Sequence, residues 1–538
     1  MSPVAFSSAD GGAVRGRTAA DVDVVVVGSG AGGAAAAIAA HDAGGTVLIL
    51  EKLMTPGGIS ILSGGGIAGS TDARQAEAYL RRTQGGRVDD ALIKAFAQDM
   101  VVARKLIERL APVSRATIQV LPAVISTPSG ARIEDNYSMV YPFPGNESMV
   151  SITVTVPEFQ GFDWVVNGGQ GQHLMKVLLD NLAAREIRVL YGAAATRLVR
   201  AGGRVSGVRF EQAGTLRTVR ARRGVILACG GFEFNEDMKK QFLEPTPIYP
   251  TGCPGNTGDG ITMAQQAGAA LWHMWHVHGS YGFKFDEFPV AFRMKPSGAR
   301  RPNRPLQWIL VDKRGQRFMN ELQPAPQDTS HRPLGHFDPD AQEYPRIPAF
   351  LVFDEEARKL GPLANPRTAV AEHAYRWSQD NLAEVARGWI AQGQSVEALA
   401  ARLGLPGEAL ARTIERWNHL VEAGRDEDHG RPPRTMLAIL RPPFFGVPVW
   451  PVVMNTQGGP RHDEFQRIID VEGHPIPGLY AAGELGSFFA HLYLLGGNLT
   501  ECITSGARAG THIMRGARAD GDAGRAFVYP FADETAPS

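Results

Sequence analysis

A glycine-rich turn that follows a short apolar run constrains the fold of this chain more than any other feature. The run is Asp23-Val-Val-Val-Val27, a β-branched segment typical of strands buried on both faces. The turn covers residues 28–33, and the alanine-rich segment 34–40, suited to a helix packed closely on a sheet, follows it. A second apolar run, Thr46 to Leu50, completes a β-α-β unit. We therefore predict an α/β protein with a parallel sheet.

The turn has the spacing Gly28-x-Gly30-x-x-Gly33 of a dinucleotide-binding site. Glycine permits the tight turn and leaves bare backbone for a pyrophosphate, while the helix N-terminus attracts the phosphates. Glu51 ends the second apolar run, where it would accept hydrogen bonds from the adenosine ribose hydroxyls. An acidic residue at this position disfavours the 2′-phosphate of NADP. NAD and FAD share the fingerprint, so the turn alone does not choose between them.

The composition excludes several other classes of protein. Lysine plus arginine equals aspartate plus glutamate at 55 each, which gives no support to nucleic-acid binding or to attraction toward an acidic membrane surface. The 3 cysteines are far apart and lack metal-ligand spacing, so we expect neither disulfides nor a metal site. No apolar run is long enough for a membrane span, and no signal peptide is evident. We expect a cytoplasmic enzyme.

Several short segments occur in the order seen in one family of flavoproteins. They are Glu51-Lys52, the loop 57–66, Ala228-Cys-Gly-Gly-Phe232, Asn256-Thr-Gly-Asp-Gly260, Gly315 to Glu321, Thr456-Gln-Gly-Gly459, Gly478 to Glu484 and Gly496-Gly-Asn498. With these segments the chain resembles the FAD-dependent fumarate reductases, succinate dehydrogenase flavoproteins and 3-ketosteroid dehydrogenases, the last branch most closely. The resemblance implies FAD as cofactor and an α/β, Rossmann-like FAD-binding domain with an inserted α+β cap (substrate) domain.

The resemblance also implies which residues bind the cofactor. Glu484 resembles the acidic residue that binds the flavin's ribityl or ribose hydroxyls, and Asn498 opens a final helix whose N-terminus would face the N1–C2=O edge of the flavin. Family members that bind FAD covalently use a histidine in the loop that here spans 59–66, and this loop has none. We therefore predict non-covalent FAD. The predicted cofactor residues are Gly28, Gly30, Ala31, Gly33, Glu51, Lys52, Gly58, Ser60, Ser63, Gly64, Gly65, Gly66, Ala195, Gly230, Gly231, Asp259, Gly483, Glu484, Gly497, Asn498, Leu499 and Thr500.

A change in composition near residue 271 predicts the division of the chain into domains. From there to about residue 350 the sequence is dense in proline, arginine and aromatic residues, and helical segments follow near 380–392, 395–403 and 407–423. We expect a flexible arm at 1–20, the FAD-binding domain at 21–272 and 438–518, the inserted cap at 273–437, and a tail at 519–538.

The substrate residues of fumarate reductases are mostly missing from this chain. Their arginine before Leu-Gly-Gly-Asn is Leu494 here, their histidine before Thr-Met-Gly-Gly is Asn455, and their proton-donor arginine has no clear match in 322–328. His278 and Arg304 are the positions that this branch shares with the chain. Without these anchors the two carboxylates of a bound fumarate or succinate would be buried without partners, so both are disfavoured as substrates.

Ketosteroid dehydrogenases carry a tyrosine in the corresponding apolar segment, 488–495, and Tyr493 is the nearest match here. A ketone held by Tyr493 and a backbone N–H would become acidic at its α-carbon. A base could remove that proton while the β-hydride passes to flavin N5. The candidate bases or donors are His491, His278 and Tyr281.

The leading hypothesis is therefore an FAD-dependent oxidoreductase that acts on a CH–CH bond beside the carbonyl of a cyclic or otherwise apolar ketone, with a separate electron acceptor or donor. One alternative is a reductase of an unsaturated acid that uses His278 and Arg304. Another is a flavin-binding sensor or assembly partner without turnover.

Overall fold

The computed structural model describes residues 19–123, 140–141, 143–166, 168–294, 305–321, 331–364, 369–370, 375–516 and 527–530. The strands in these ranges are β1 (Ala19–Val27), β2 (Val47–Leu50), β3 (Ile67–Ser70), β4 (Thr117–Pro122), β5 (Met149–Thr155), β6 (Val165–Val166), β7 (Arg188–Leu190), β8 (Ala193–Ala201), β9 (Arg204–Gln212), β10 (Thr215–Leu227), β11 (Tyr249–Pro250), β12 (Leu271–Trp272), β13 (Val277–Phe283), β14 (Phe292–Arg293), β15 (Ile309–Val311), β16 (Ala349–Phe353), β17 (Ala369–Val370), β18 (Ala391–Gly393), β19 (Phe444–Thr456), β20 (Gly459–Pro460), β21 (Arg467–Ile469) and β22 (Pro475–Ala481).

The α-helices in the same ranges are α1 (Ala31–Asp42), α2 (Ala73–Gln84), α3 (Asp90–Leu110), α4 (Gly171–Ala184), α5 (Glu236–Phe242), α6 (Asp259–Gln266), α7 (His331–Leu334), α8 (Glu355–Arg358), α9 (Leu382–Ala386), α10 (Val396–Leu403), α11 (Gly407–Glu422) and α12 (Gly497–Arg515). Among the described residues, no helix combines the length and the apolar character that crossing a membrane requires.

The first sheet has the strand order β21-β22-β10-β1-β2-β7, and β8 and β9 extend it beside β10. The central strand β1 is parallel to both neighbours: Val25 pairs with Leu48 of β2 and with Val225 of β10. Apolar side chains on both of its faces are buried, as the β-branched run predicts. The predicted Rossmann-like α/β fold is confirmed.

The second sheet has the order β14-β13-β19-β16-β15, with β11 and β18 also paired to β19. Its core is rich in aromatic side chains, among them Phe283, Trp377 and Phe445. This sheet takes strands from both sides of the predicted cap, because β11 precedes residue 273 and β19 follows residue 437. The boundaries of the cap therefore stay a proposal.

Two local predictions differ from the structure. The sequence predicts two short strands at 216–220 and 225–229, but Thr215–Leu227 is one continuous strand. Its first half pairs with β9 and its second half with β1 and β22, so this one strand has three partners. The helix expected near 380–392 ends at Ala386, because residues 391–393 pair as β18 with β19.

Small residues set the distance between α1 and α12, which cross the back of the nucleotide-binding turn. A Cβ on Gly510 would lie 2.2 Å from the carbonyl oxygen of Ala36, and one on Gly506 would lie 2.4 Å from that of Gly32. Such distances are far below van der Waals contact with backbone that cannot move away. The helix α1, which begins at the glycine turn, is therefore packed tightly against α12, the last helix of the described residues.

Replacing Gly510 with alanine is expected to lower the free energy of unfolding by about 1–3 kcal/mol, because the extra methyl overpacks this contact. Gly407→Ala is the matched control, since its Cβ would meet only Glu397 atoms at 3.9 Å at the start of α11. Denaturant unfolding of the two apoproteins checks the difference. Equal stability of the two variants would contradict the packing argument.

Candidate functional site

The carboxyl ends of β1, β2, β10 and β22 open onto a cavity of about 1060 Å³. This is the edge of an α/β sheet at which ligands bind. Most of the predicted cofactor residues line the cavity, although their sequence positions span more than 450 residues. Those that line it are Gly28, Gly30, Ala31, Glu51, Lys52, Gly58, Ser60, Ser63, Gly64, Gly65, Gly66, Ala195, Gly230, Asp259, Gly483, Glu484, Asn498 and Leu499.

The glycines of the turn between β1 and α1 have different tasks. Gly28 has a φ of +102°, and a Cβ on it would lie 2.3 Å from the carbonyl oxygen of Ala228. A Cβ on Gly33 would lie 2.0 Å from the carbonyl oxygen of Gly28, which keeps α1 against the turn. Gly30 has room on the cavity side, because its Cβ would approach nothing nearer than 3.7 Å. Gly28 and Gly33 therefore shape the turn, and Gly30 leaves space for a ligand.

Glu51 fastens the turn to the end of β2. Its Oε2 accepts hydrogen bonds from the backbone N–H of Ser29 at 2.9 Å and from the Ser29 hydroxyl at 2.8 Å, and its Oε1 accepts one from the N–H of Leu53 at 2.9 Å. The neighbouring Lys52 donates to Asp259 Oδ2 at 2.7 Å. The opposite charges of these two side chains compensate each other on the cavity wall.

The other end of the cavity is closed by β22 and by the start of α12. Both polar atoms of the Asn498 side chain are buried without a hydrogen-bond partner among the described residues. Buried amide groups that lack a protein partner are expensive unless a ligand or water satisfies them. Asn498 therefore fits a site that binds a polar edge of a cofactor at a helix N-terminus, as the flavin of FAD would present.

Two hydrogen bonds link Glu484 through Asn455 to the candidate catalytic residue His278. Asn455 Nδ2 donates to Glu484 Oε2 at 2.7 Å, so its Oδ1 is the atom that faces His278 Nδ1, at 3.2 Å. An amide oxygen only accepts, and so Nδ1 of His278 carries the ring proton. In the neutral ring Nε2 is then the basic nitrogen.

Tyr493 stacks on His278, with ring centroids 4.1 Å apart, and both side chains line the cavity. The Tyr493 oxygen accepts a hydrogen bond from the backbone N–H of Gly496 at 3.2 Å. Burial raises the pKa of the Tyr493 phenol well above its ordinary value. Burial therefore favours the protonated form of the phenol, which is the form that can donate a hydrogen bond.

The remaining predicted residues do not line the cavity. Gly33, Gly231, Gly497 and Thr500 lie behind its wall: a Cβ on Gly231 would meet Thr456 and Glu484, one on Gly497 would meet Phe489, and the Thr500 hydroxyl donates to the Ala68 carbonyl. These residues shape the site through packing. Arg304 lies outside the described residues.

Two of the candidate catalytic residues also lie elsewhere. His491 packs against Gly85 at the end of α2, at 3.3 Å from the position of a Cβ there. Tyr281 is buried in the aromatic core of the second sheet, where its hydroxyl contacts Met319 Sδ at 3.2 Å. Of the four described candidates, the structure brings Tyr493 and His278 together in the cavity and leaves these two outside.

Sequence reasoning missed several polar residues of the cavity. Arg293 lines it near Tyr493, and Asn256, Ser151 and Thr153 contribute polar side chains to its wall. Ser151 and Thr153 share one face of β5, and their alternation in the sequence could have identified that face. Arg293 had no such signal, because it follows an irregular segment and reaches the cavity through the pairing of β14 with β13.

The fold and the site together define a dinucleotide-binding flavoprotein. The model of the family described as FAD binding domain matches residues 23–499, and the chain belongs to this family. The match confirms FAD as the predicted cofactor and the predicted resemblance to its flavoenzymes.

Curated relatives fall into the two branches that the sequence suggested. The 3-oxosteroid 1-dehydrogenase of Mycobacterium tuberculosis is 31% identical over 369 residues, which cover 64% of this chain and 63% of that enzyme. The match thus spans less than two thirds of the relative's own length. The cytochrome-type fumarate reductase of Shewanella frigidimarina is 27% identical over 503 residues, which cover 92% of this chain and 77% of that enzyme.

A solved structure has the same fold over nearly the whole chain. It is the 3-ketosteroid Δ1-dehydrogenase of Sterolibacterium denitrificans in complex with 1,4-androstadiene-3,17-dione, with a TM-score of 0.75 and 22% identity. The similarity covers 92% of this chain and 99% of that one.

Proposed function

We propose that this protein is an FAD-dependent oxidoreductase that acts on the CH–CH bond beside the carbonyl of a ring ketone. The observation that carries the proposal is the stacked pair of Tyr493 and His278 on the wall of the cofactor cavity. A donor and a base side by side match what the removal of an α-proton needs. The match to the 3-oxosteroid 1-dehydrogenase supports the ring ketone as substrate class.

Tyr493 would donate its hydrogen bond to the substrate carbonyl. The N–H of Gly496 occupies one side of the phenol oxygen, and the aromatic rings of His278 and Phe489 hold the phenol ring in place. A donor fixed before the substrate arrives stabilises the negative charge that develops on the carbonyl oxygen, at no cost in reorganisation.

His278 would take the α-proton on Nε2. Asn455 holds the ring with its proton on Nδ1, and Glu484 holds Asn455 in turn. FAD, when bound between the glycine turn and the start of α12, supplies the acceptor for the β-hydride. Gly30 and the N-terminus of α1 would hold its pyrophosphate, and Glu51 its adenosine ribose. We propose that the cofactor is non-covalent and that a separate carrier exchanges electrons with it.

A second candidate is the reduction of an unsaturated acid, and Arg293 is the observation that favours it. This cation lines the cavity and is close enough to Tyr493 to act on its pKa. It could bind a substrate carboxylate. Apolar side chains that line the cavity, among them Leu121, Met454 and Leu495, favour the ketone instead, because they offer no second anchor for a dicarboxylate.

A substrate panel separates the two candidates. Purified holoprotein is mixed without oxygen with ring ketones of one to four rings, with ring ketones that carry a carboxylate, and with α,β-unsaturated acids. We expect ring ketones to bleach the oxidised flavin. If the reduced protein is reoxidised by unsaturated acids, and no ketone bleaches the oxidised form, the proposal is wrong and the second candidate replaces it.

A further inference from the structure

A second buried carboxyl group, Glu233, lies directly behind Glu484. It lies in the loop after β10, which ends at Leu227, and does not line the cavity. Glu233 is 1% exposed and Glu484 is 5% exposed. The position of a Cβ on Gly231 is 2.6 Å from Glu484 Oε1 and 3.0 Å from Glu233 Oε2, and the two side chains hydrogen-bond each other. Glycine at 231 is what allows the two carboxyls to meet.

The four carboxyl oxygens divide into an outer pair and an inner pair. The outer oxygens accept amide hydrogens: Asn256 Nδ2 donates to Glu233 Oε1 at 3.3 Å, and Asn455 Nδ2 donates to Glu484 Oε2 at 2.7 Å. The inner oxygens, Glu233 Oε2 and Glu484 Oε1, have no donor among the described residues apart from a proton on the other carboxyl. Two carboxylates cannot share a hydrogen bond unless one of them carries a proton.

The charges around the pair also favour one retained proton. Burial raises the pKa of both carboxyls, and the charge of Glu233 raises that of Glu484 further. The titratable groups that face the pair are Glu501 and Cys502 on α12, Cys253 in the loop after β11, and His278 beyond Asn455. Of these groups only His278 could be cationic, and it is separated from the pair by Asn455.

We propose that Glu233 is a positioning residue that shares one proton with Glu484. This proton limits the pair to one negative charge, so that the Glu484 carboxyl on the cavity wall does not place a second one next to the flavin. The inference rests on the proposed FAD site. Because Asn455 bonds both Glu484 and His278, the same pair also holds the amide that orients the proposed base.

The sign of the expected pH dependence follows from the shared proton. FAD brings its own negative charge into the cavity, so it binds best while the pair holds its proton. When the pH rises and the pair loses that proton, two adjacent carboxylates repel each other and the cofactor. FAD affinity should therefore fall with rising pH.

The experiment measures the dissociation constant of FAD from apoprotein between about pH 6 and about pH 9.5, by flavin fluorescence. We expect the wild-type affinity to fall by about tenfold or more over this range. A tenfold fall corresponds to a difference of about one unit between the pKa of the pair in the free protein and in the FAD complex. In Glu233→Gln the amide donates to Glu484 permanently, so affinity should change less than about threefold. Glu484→Gln places the amide on the other side and should flatten the profile in the same way.

Glu501→Gln is the control, because Glu501 is another buried carboxyl that bonds Ser487 and Phe488 rather than the pair. Burial raises the pKa of Glu501 to about 8, so it could titrate in the same range. The proposal is overturned if the wild-type profile is flat, if both pair variants keep the wild-type slope, or if Glu501→Gln alone removes the slope. If the profile is flat but ring ketones still bleach the bound flavin, the shared proton of Glu233 and Glu484 is contradicted and the proposed function is not. A steep profile without bleaching by any ketone contradicts the proposed function alone.

Discussion

Gly30→Ala is expected to weaken FAD binding by about a hundredfold while the apoprotein keeps its fold. The backbone of Gly30, with φ −68° and ψ −178°, suits any residue, and its Cβ would touch Ser60 and the Gly57 carbonyl only at van der Waals distance. The methyl would instead occupy the cavity side of the turn, where the pyrophosphate has to approach the start of α1. Overpacking of this kind costs about 1–3 kcal/mol, and 1.4 kcal/mol is tenfold in affinity.

Gly28→Ala is the contrasting variant for this measurement. Its methyl would stand 2.3 Å from a backbone oxygen, at a φ of +102°, so it should damage the turn itself. Thermal unfolding of both apoproteins and titration with FAD separate the two effects: stability falls for Gly28→Ala and is retained for Gly30→Ala. If Gly30→Ala binds FAD as tightly as the wild type does, the pyrophosphate does not bind at the cavity side of Gly30 and the prediction is wrong.

Tyr493→Phe is expected to reduce turnover of a ring ketone by about a hundredfold, the typical effect of removing one donor to a developing oxyanion. FAD affinity should remain, because the ring still stacks on His278 and Phe489. Since burial raises the pKa of this phenol far above the ordinary value, its ionisation should not appear in the pH profile of the wild-type enzyme. Stopped-flow reduction of the bound flavin, rather than steady-state turnover, isolates this step.

Tyr281→Phe is the matched control, because it removes the same hydroxyl from a tyrosine that lies outside the cavity, beside Met319. We expect its flavin reduction rate to stay within about threefold of wild type, as for most changes remote from the reacting atoms. A large loss in Tyr281→Phe, with none in Tyr493→Phe, would reverse the assignment of the two tyrosines.

The nucleotide half of the site was predictable because its determinants are local. A β-branched run, three glycines and an acidic residue follow one another within about thirty positions, and each has a steric or electrostatic reason to be there. The flavin half was predictable only through family resemblance. Glu484 and Asn498 have no periodicity or spacing that ties them to Gly28, and the parallel sheet alone brings them to the same edge.

The catalytic half was predicted less well, because it depends on how the two sheets meet. Tyr281 and His278 are three positions apart on β13, so strand alternation places them on opposite faces: His278 lines the cavity and Tyr281 is buried in an aromatic core. Which of the two faces meets the cavity depends on the pairing with β19, which skips Met454 opposite His278 and Gly279, and the sequence of β13 does not show this. Arg293 reaches the cavity through the pairing of β14 with β13, and Glu233 comes close to Glu484 because β10 pairs with β22; periodicity reveals neither pairing.

Anaerobic reduction of the bound flavin by ring ketones tests the central claim most directly. The holoprotein is mixed with a 3-oxo ring compound in the absence of oxygen, and the visible absorbance of the oxidised flavin is followed together with formation of the α,β-unsaturated ketone. The proposed function predicts that the absorbance disappears and that one unsaturated ketone forms for each flavin reduced. Persistent flavin colour across ketones of every ring number would contradict it.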